Sequence, residues 1–180
     1  MTHLIHPAHT QGETIVVTPQ RAAWQYLSFR VIVLAKGEHY TIHTGDEEVA
    51  LVPLQGTGAL QVDGHEYRLD RSNVFVGPPS LLYAPPGRTI QVTAERAFEF
   101  AIGGAPATGK YGIRLIRPDE IKCEIRGGGA AQRQVNHILA PPLLAERLIL
   151  FEVYVPGGAW SGWPPHGHDG TDGSPYLEET

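Results

Sequence analysis

The chain has 180 residues, room for one to one and a half domains, and its 42% apolar and 18% charged content is ordinary for a globular protein with a sizeable core. A balance of 14 basic against 19 acidic residues, net −5, gives no electrostatic case for nucleic acid as a partner. A single cysteine, Cys123, excludes an internal disulfide framework and a CxxC zinc site. No run of about 18 apolar residues is present to span a membrane, and the start MTHLIHPAHT lacks a basic region leading into an apolar run. The expectation is a soluble, cytoplasmic protein.

Glycine (21) and proline (15) make one residue in five, which favours many short strands over a helical bundle. In chain order, β-branched and aromatic residues gather at 14–18 (TIVVT), 27–34 (LSFRVIVL), 48–53 (EVALVP), 58–62 (GALQV) and 66–69 (EYRL). They gather again at 73–76 (NVFV), 90–93 (IQVT) and 97–102 (AFEFAI). Glycine- and proline-rich turns separate these segments, and Asp63-Gly64 between Val62 and His65 has the chemistry of a two-residue type I′ hairpin. Strands at this spacing predict an all-β sandwich or jelly roll, closed on itself to hide its edges.

After Ile102 the texture changes. Residues 103–112 (GGAPATGKYG) read as a linker, followed by strand candidates at 113–116 and 121–126 (IKCEIR) and the glycine run 127–129. For 130–139 (AAQRQVNHIL) periodicity does not decide between a helical turn and an extended segment. Residues 148–155 (LILFEVYV) read as a strong apolar strand that needs a cover. The stretch beyond Pro156 is rich in Gly, Pro, Trp and His.

The chemistry concentrates in Pro164-Pro165-His166-Gly167-His168-Asp169. Two histidines at i and i+2 on an extended segment project to one face and can grip one divalent ion. Glu178 or Glu179 offers a carboxylate to complete a facial set of three. The competing reading is a solvated Gly/Pro loop. Asp169 to Gly173 has only a loose likeness to a calcium loop and reads as a turn. His3, His6 and His9 read as surface residues and Cys123 as packing. Trp160 and Trp163 flank the histidine loop and could wall a sugar-sized pocket. Arg133 is a candidate for a bidentate contact to a substrate carboxylate, against the plainer reading of an ion pair between elements.

HxH followed by a glutamate just before an apolar strand resembles the first metal motif of cupins. The stretch PGGAWSGWPPHGHD…YLEET resembles the 5-deoxy-glucuronate isomerase family of myo-inositol catabolism, as do TGDEEVALVPLQGTGALQVDG, VFVGPPSLLYAPPGRTIQV, RGGGAAQRQVNHIL and AERLILFEVYVPGG. The resemblance covers essentially the whole chain. It implies a cupin fold (a jelly-roll β-barrel) with one complete barrel at 1–105, and a linker plus the first part of a second, metal-binding barrel at 106–180. It implies His166, His168 and Glu179 as ligands of a divalent ion (Zn, Mn or Fe), with Glu178 the near alternative. The family's fourth ligand, a histidine on a later strand, has no counterpart up to Thr180.

In the first barrel the equivalent motifs read Thr41-Ile42-His43 with Glu48, and Pro85-Pro86-Gly87-Arg88-Thr89-Ile90. Two of four ligand positions are lost, leaving a structural barrel with His43 and Glu48 as vestiges of a site. The implied reaction is an aldose–ketose isomerisation of a small sugar acid, 5-deoxy-glucuronate, to 5-dehydro-2-deoxy-gluconate through an enediol. No residue declares itself as the general base, and no GxGxxG follows a strand to bind a nicotinamide or flavin. A cupin-like scaffold without a metal site and an Fe(II) dioxygenase are the alternatives from other classes. The apolar 148–155 strand predicts a homo-oligomer that hides it.

Overall fold

The computed structural model describes residues 5–162 and is built almost wholly of strands, as the all-β expectation requires. The first sheet contains β1 (Gly12–Val17), β2 (Ser28–Leu34), β3 (His39–His43), β4 (Glu47–Val62), β5 (His65–Arg71), β6 (Leu81–Ala84), β7 (Thr89–Pro106) and β8 (Arg114–Ile116). Its backbone order is β1-β2-β7-β4-β6-β8, with β3 added on β7 and β5 on β4. A single-turn helix, α1 (Pro19–Ala22), links β1 to β2 and is capped by Thr18, whose side chain accepts from the Arg21 amide.

The segments 48–53 and 58–62, expected as separate strands, form the single strand β4, and 90–93 with 97–102 merge into β7. Each of these long strands bends and serves both layers. The first half of β4 pairs with β6 and the end of β7, its second half with β5 and the start of β7. Register shifts at Pro53/Gln55 and Gly56/Gly58 mark the bend. Gly56 sits at φ 92°, and a Cβ there would lie 1.7 Å from the Ala97 carbonyl oxygen, so the bend accepts no side chain. This curvature rolls the sheet into a cupin-type barrel. Its interior is lined by Ile32, Leu51, Leu60, Leu69, Ile90 and the stacked rings of Phe98 and Phe100.

Asp63 and Gly64 both have positive φ between the paired Val62 and His65, the geometry of the expected I′ hairpin. One expected strand is absent: residues 73–76 form a turn, with Phe75 83% and Val76 69% exposed. Here local β propensity is overridden because Asn73 Oδ1 accepts from the Phe75 amide, closing an Asx turn. The expected linker also differs, since 103–106 belong to β7, where Gly103 and Gly104 pair with β2 and all four residues pair with β4.

The second sheet has the order β11-β10-β9, from β9 (Lys122–Arg126), β10 (Arg133–Leu139) and β11 (Leu150–Tyr154). The ambiguous 130–139 segment resolves into a short 3-10 turn at Gly129–Ala131 followed by the strand β10. A second apolar cluster joins this sheet to the outside of the barrel. It packs Ala50, Val52, Leu81 and Tyr83 against Ile138, Leu139, Leu143 and Leu148.

Two carboxylates reinforce the joint. Glu48, fully buried, accepts from the Tyr83 hydroxyl (2.8 Å) and from the backbone amides of Glu146 (2.8 Å), Arg147 (2.6 Å) and Leu148 (2.7 Å). Glu152 on β11 receives a bidentate pair from the buried Arg71 guanidinium, at 2.6 and 2.9 Å. Arg71 also donates to the carbonyls of Pro53, Val74 and Gly77. Among the described residues no helix is long and apolar enough to cross a membrane.

Candidate functional site

Side chains directly opposite each other in an antiparallel pair share a face. The register pairs Gln134 with Tyr154 and Asn136 with Glu152, and Glu152 reaches Arg71 of the barrel. These residues therefore define the barrel-facing side of the second sheet. The opposite face carries Lys122, Glu124 and Arg126 from β9, Arg133, Val135 and His137 from β10, and Phe151 and Val153 from β11. Phe151 is 47% and Val153 43% exposed, whereas Val135 is buried and the His137 side chain is 11% exposed, so among the described residues this outward face is open along β11 and closer-packed over β10.

The electrostatics of the open face are distinctive. Lys122, Arg126 and Arg133 are three cations set against one carboxylate, Glu124, in a chain whose net charge is −5. Glu124 gathers Lys122 (2.7 Å), the Arg126 guanidinium and His137 Nε2 (2.9 Å). These partners, Lys122 first and then His137, hold its carboxyl well down, at about 2. His137 is fixed further by an edge-on contact with the Phe151 ring at 4.9 Å.

Arg133 stands at the end of the same face, beside a cleft lined with Phe75, Gln134, Tyr154 and Pro156. Its Nη1 donates to the Ala131 carbonyl at 3.1 Å. The loop that supplies this anchor requires glycine at 127, where φ is 71° and a Cβ would lie 2.2 Å from the Ala131 oxygen. Among the described residues no carboxylate is paired with Arg133, so the ion-pair reading of this residue finds no partner there. Trp160 is 57% exposed and its amide donates to the Ala130 carbonyl at 2.7 Å, which ties the chain after β11 to the same loop.

His166, His168, Glu178, Glu179 and Trp163 lie outside the described residues. Among the described residues no group of three or more His, Cys, Asp or Glu side chains is placed to hold a metal ion. The vestigial reading of Glu48 and His43 is corrected. Val49 and Leu51 line the barrel interior, so by strand alternation Glu48 points outward, into its four hydrogen bonds at the joint. Ile42 is in the interior and His43 is exposed on the outside, bonded to Thr89 Oγ1 at 3.1 Å. The two side chains do not converge. Sequence reasoning also passed over His137, whose signal was only its alternation with Arg133 and Val135 along β10.

A cupin-type barrel with a second sheet docked on its flank defines the class of protein. The KduI/IolB family matches residues 3–180, and the chain belongs to that family. It is 40% identical to a 5-deoxy-glucuronate isomerase of Geobacillus kaustophilus, with 100% of this chain and 68% of that protein covered. It is 36% identical to a 5-deoxy-glucuronate isomerase of Geobacillus thermodenitrificans, over 97% of this chain and 66% of the relative. The crystal structure of an IolB-like protein from Salmonella typhimurium LT2 superposes with a TM-score of 0.86 at 35% identity, covering 92% of this chain and 64% of that one. The chain thus spans about two thirds of the length of these relatives.

Proposed function

We propose that this chain carries the chemistry of a 5-deoxy-glucuronate isomerase, converting 5-deoxy-D-glucuronate to 5-dehydro-2-deoxy-D-gluconate in myo-inositol catabolism in the cytoplasm. The observation that carries the reading is identity of up to 40% to isomerases across the whole chain. The open face supports it: three cations against one carboxylate suit an anionic sugar acid. Arg133, which has no carboxylate partner among the described residues and is held from behind by Ala131, is the group we assign to the substrate carboxylate. Trp163 is assigned to the wall of the same substrate site.

His166, His168 and Glu179 are the residues proposed to hold a divalent ion, Zn, Mn or Fe. Two imidazoles and a carboxylate form a donor set suited to such ions. When bound, the ion would supply Lewis-acid stabilisation of charge developing on the substrate oxygens. We assign residues 1–105 to a complete barrel without a metal site. The remainder, 106–180, forms the linker and the opening of a second, metal-binding barrel, with β8 strapped onto the first sheet through β6.

The test is a direct assay. Purified full-length chain, loaded in turn with Zn, Mn or Fe, is given 5-deoxy-D-glucuronate, and the ketose is followed by NMR alongside metal analysis. Ketose formation that falls at least about tenfold on His166→Ala is the expected result, since loss of a ligand weakens the ion. Bound metal with oxygen uptake and no ketose would replace isomerisation with dioxygenase chemistry. A protein that takes up no metal and forms no product would be a scaffold.

A further inference from the structure

We propose that His137, oriented by Glu124, is the proton-transfer group of this site. The inference rests on the isomerase reading and goes beyond it by naming the base. Four observations support it.

The histidine, its side chain 11% exposed, lies on the cationic face, four residues along β10 from Arg133 and on the same side of the strand. That separation is about 13 Å along the backbone. Arg133 is anchored on the Ala131 carbonyl at one end of this span and His137 on Glu124 at the other, so an extended six-carbon acid could meet one residue with its carboxylate and the other with its carbonyl end. The Nε2 atom is 2.9 Å from Glu124 Oε1, and a carboxylate has no proton to give, so Nε2 carries the hydrogen and donates it. Nδ1 is thereby the nitrogen with a lone pair, and it has no hydrogen-bond partner among the described residues. Phe151 fixes the ring plane from the neighbouring strand. A base held in one tautomer by a carboxylate behind it is the arrangement proton abstraction needs.

The step balances without an external oxidant. Nδ1 removes the proton from the carbon that bears the C2 hydroxyl. The C–H electron pair becomes the C1=C2 bond of the enediol as the carbonyl oxygen at C1 is protonated. The imidazolium then returns the proton to C1, and loss of the C2 hydroxyl proton leaves the ketone. C1 is reduced and C2 oxidised by the same electron pair, and the hydroxyl proton lost at O2 replaces the one gained at O1.

The experiment pairs kinetics with NMR on the full chain. In the metal-loaded protein, His137→Asn is expected to lower kcat by about 100-fold with KM within about threefold, and added imidazole to restore part of the loss. In the 15N-histidine-labelled protein the His137 Nδ1 signal is expected to show a bare nitrogen, and to move when 5-deoxy-D-glucuronate is added. Glu124→Gln, which keeps a hydrogen-bond acceptor but loses the charge, is expected to cost about tenfold in kcat and leave the thermal midpoint little changed.

A kcat for His137→Asn within threefold of the starting protein would overturn the assignment, as would an Nδ1 signal that sugar acid leaves unmoved. Should the starting protein itself form no ketose, the isomerase reading fails. The NMR titration then decides alone: a moving Nδ1 signal keeps His137 at a ligand site, and a still one removes it. A variant that does not fold leaves the same titration on the unmodified chain as the deciding measurement.

Discussion

Glu48 shows how little a residue's type fixes its role. A carboxylate near a lone histidine in a cupin motif reads as the remnant of a metal site, yet strand alternation turns it out of the barrel and into a ring of four donors. Burial and this carboxylate push the Tyr83 phenol well above its ordinary range. Glu146, one of the residues Glu48 holds by its backbone, uses its own side chain to gather the amides of Thr108, Gly109 and Lys110 and the Thr108 hydroxyl. The Lys110 amide first, then the Thr108 contacts, hold the Glu146 carboxyl at about 2. The chain is thus stitched in two steps, 48 to 146–148 and 146 to 108–110. Replacing Glu48 by Ala orphans three backbone donors at a buried joint, at about 1–3 kcal/mol each when left unsatisfied. The expected loss is about 3 kcal/mol or more, read as a lower urea midpoint, with Glu48→Gln falling between the two.

At the scale of elements, the attachment of β11 to the barrel combines apolar packing with one buried ion pair. The Arg71 side chain is 4% and that of Glu152 15% exposed, and the Tyr154 hydroxyl donates to the Val74 carbonyl at 2.7 Å beside them. Both charges are removed from water, so deleting one partner strands the other. Arg71→Met and Glu152→Gln are each expected to cost about 3–5 kcal/mol. Because the two substitutions remove one shared interaction, the double variant should cost clearly less than the sum of the singles in urea unfolding. Strict additivity would show that the pair does not couple the two sheets. The same network explains the lost strand at 73–76: Arg71 and Tyr154 draw in the Val74 carbonyl, Arg71 also takes the Gly77 carbonyl, and the backbone of that segment is committed to a turn.

At the scale of the molecule, the first barrel is closed over its core, while the second sheet, three strands among the described residues, sets the apolar side chains of β11 beside the charged ones of β9 and β10. β11 pairs only with β10, so one of its edges is unpaired among the described residues. Phe151 and Val153 stand half-exposed along it. Edges and faces of this kind are normally covered. A homo-oligomer in which a second copy pairs with the free edge of β11 is the expected state, measured by solution scattering or sedimentation. Val153→Lys should shift the distribution toward the monomer. A monodisperse monomer before any substitution would show that this face is covered from within the chain.

The all-β class, the I′ hairpin at Asp63-Gly64 and the family were legible in the sequence, because turn chemistry, β-branched runs and short sequence motifs are local signals. Arg133 was legible as a candidate because an arginine in a strand pattern, near a glycine loop, advertises its charge. The outward turn of Glu48, the Arg71–Glu152 pair 81 residues apart, and the Glu124–His137 pair were not. Each depends on register, and a slip of one residue would send every one of these side chains to the opposite face. The sequence by itself determined which kinds of groups the molecule owns and the order in which the strands come. Only the tertiary structure decided which of them meet, because strand pairing and sheet docking bring together residues that no spacing along the chain relates.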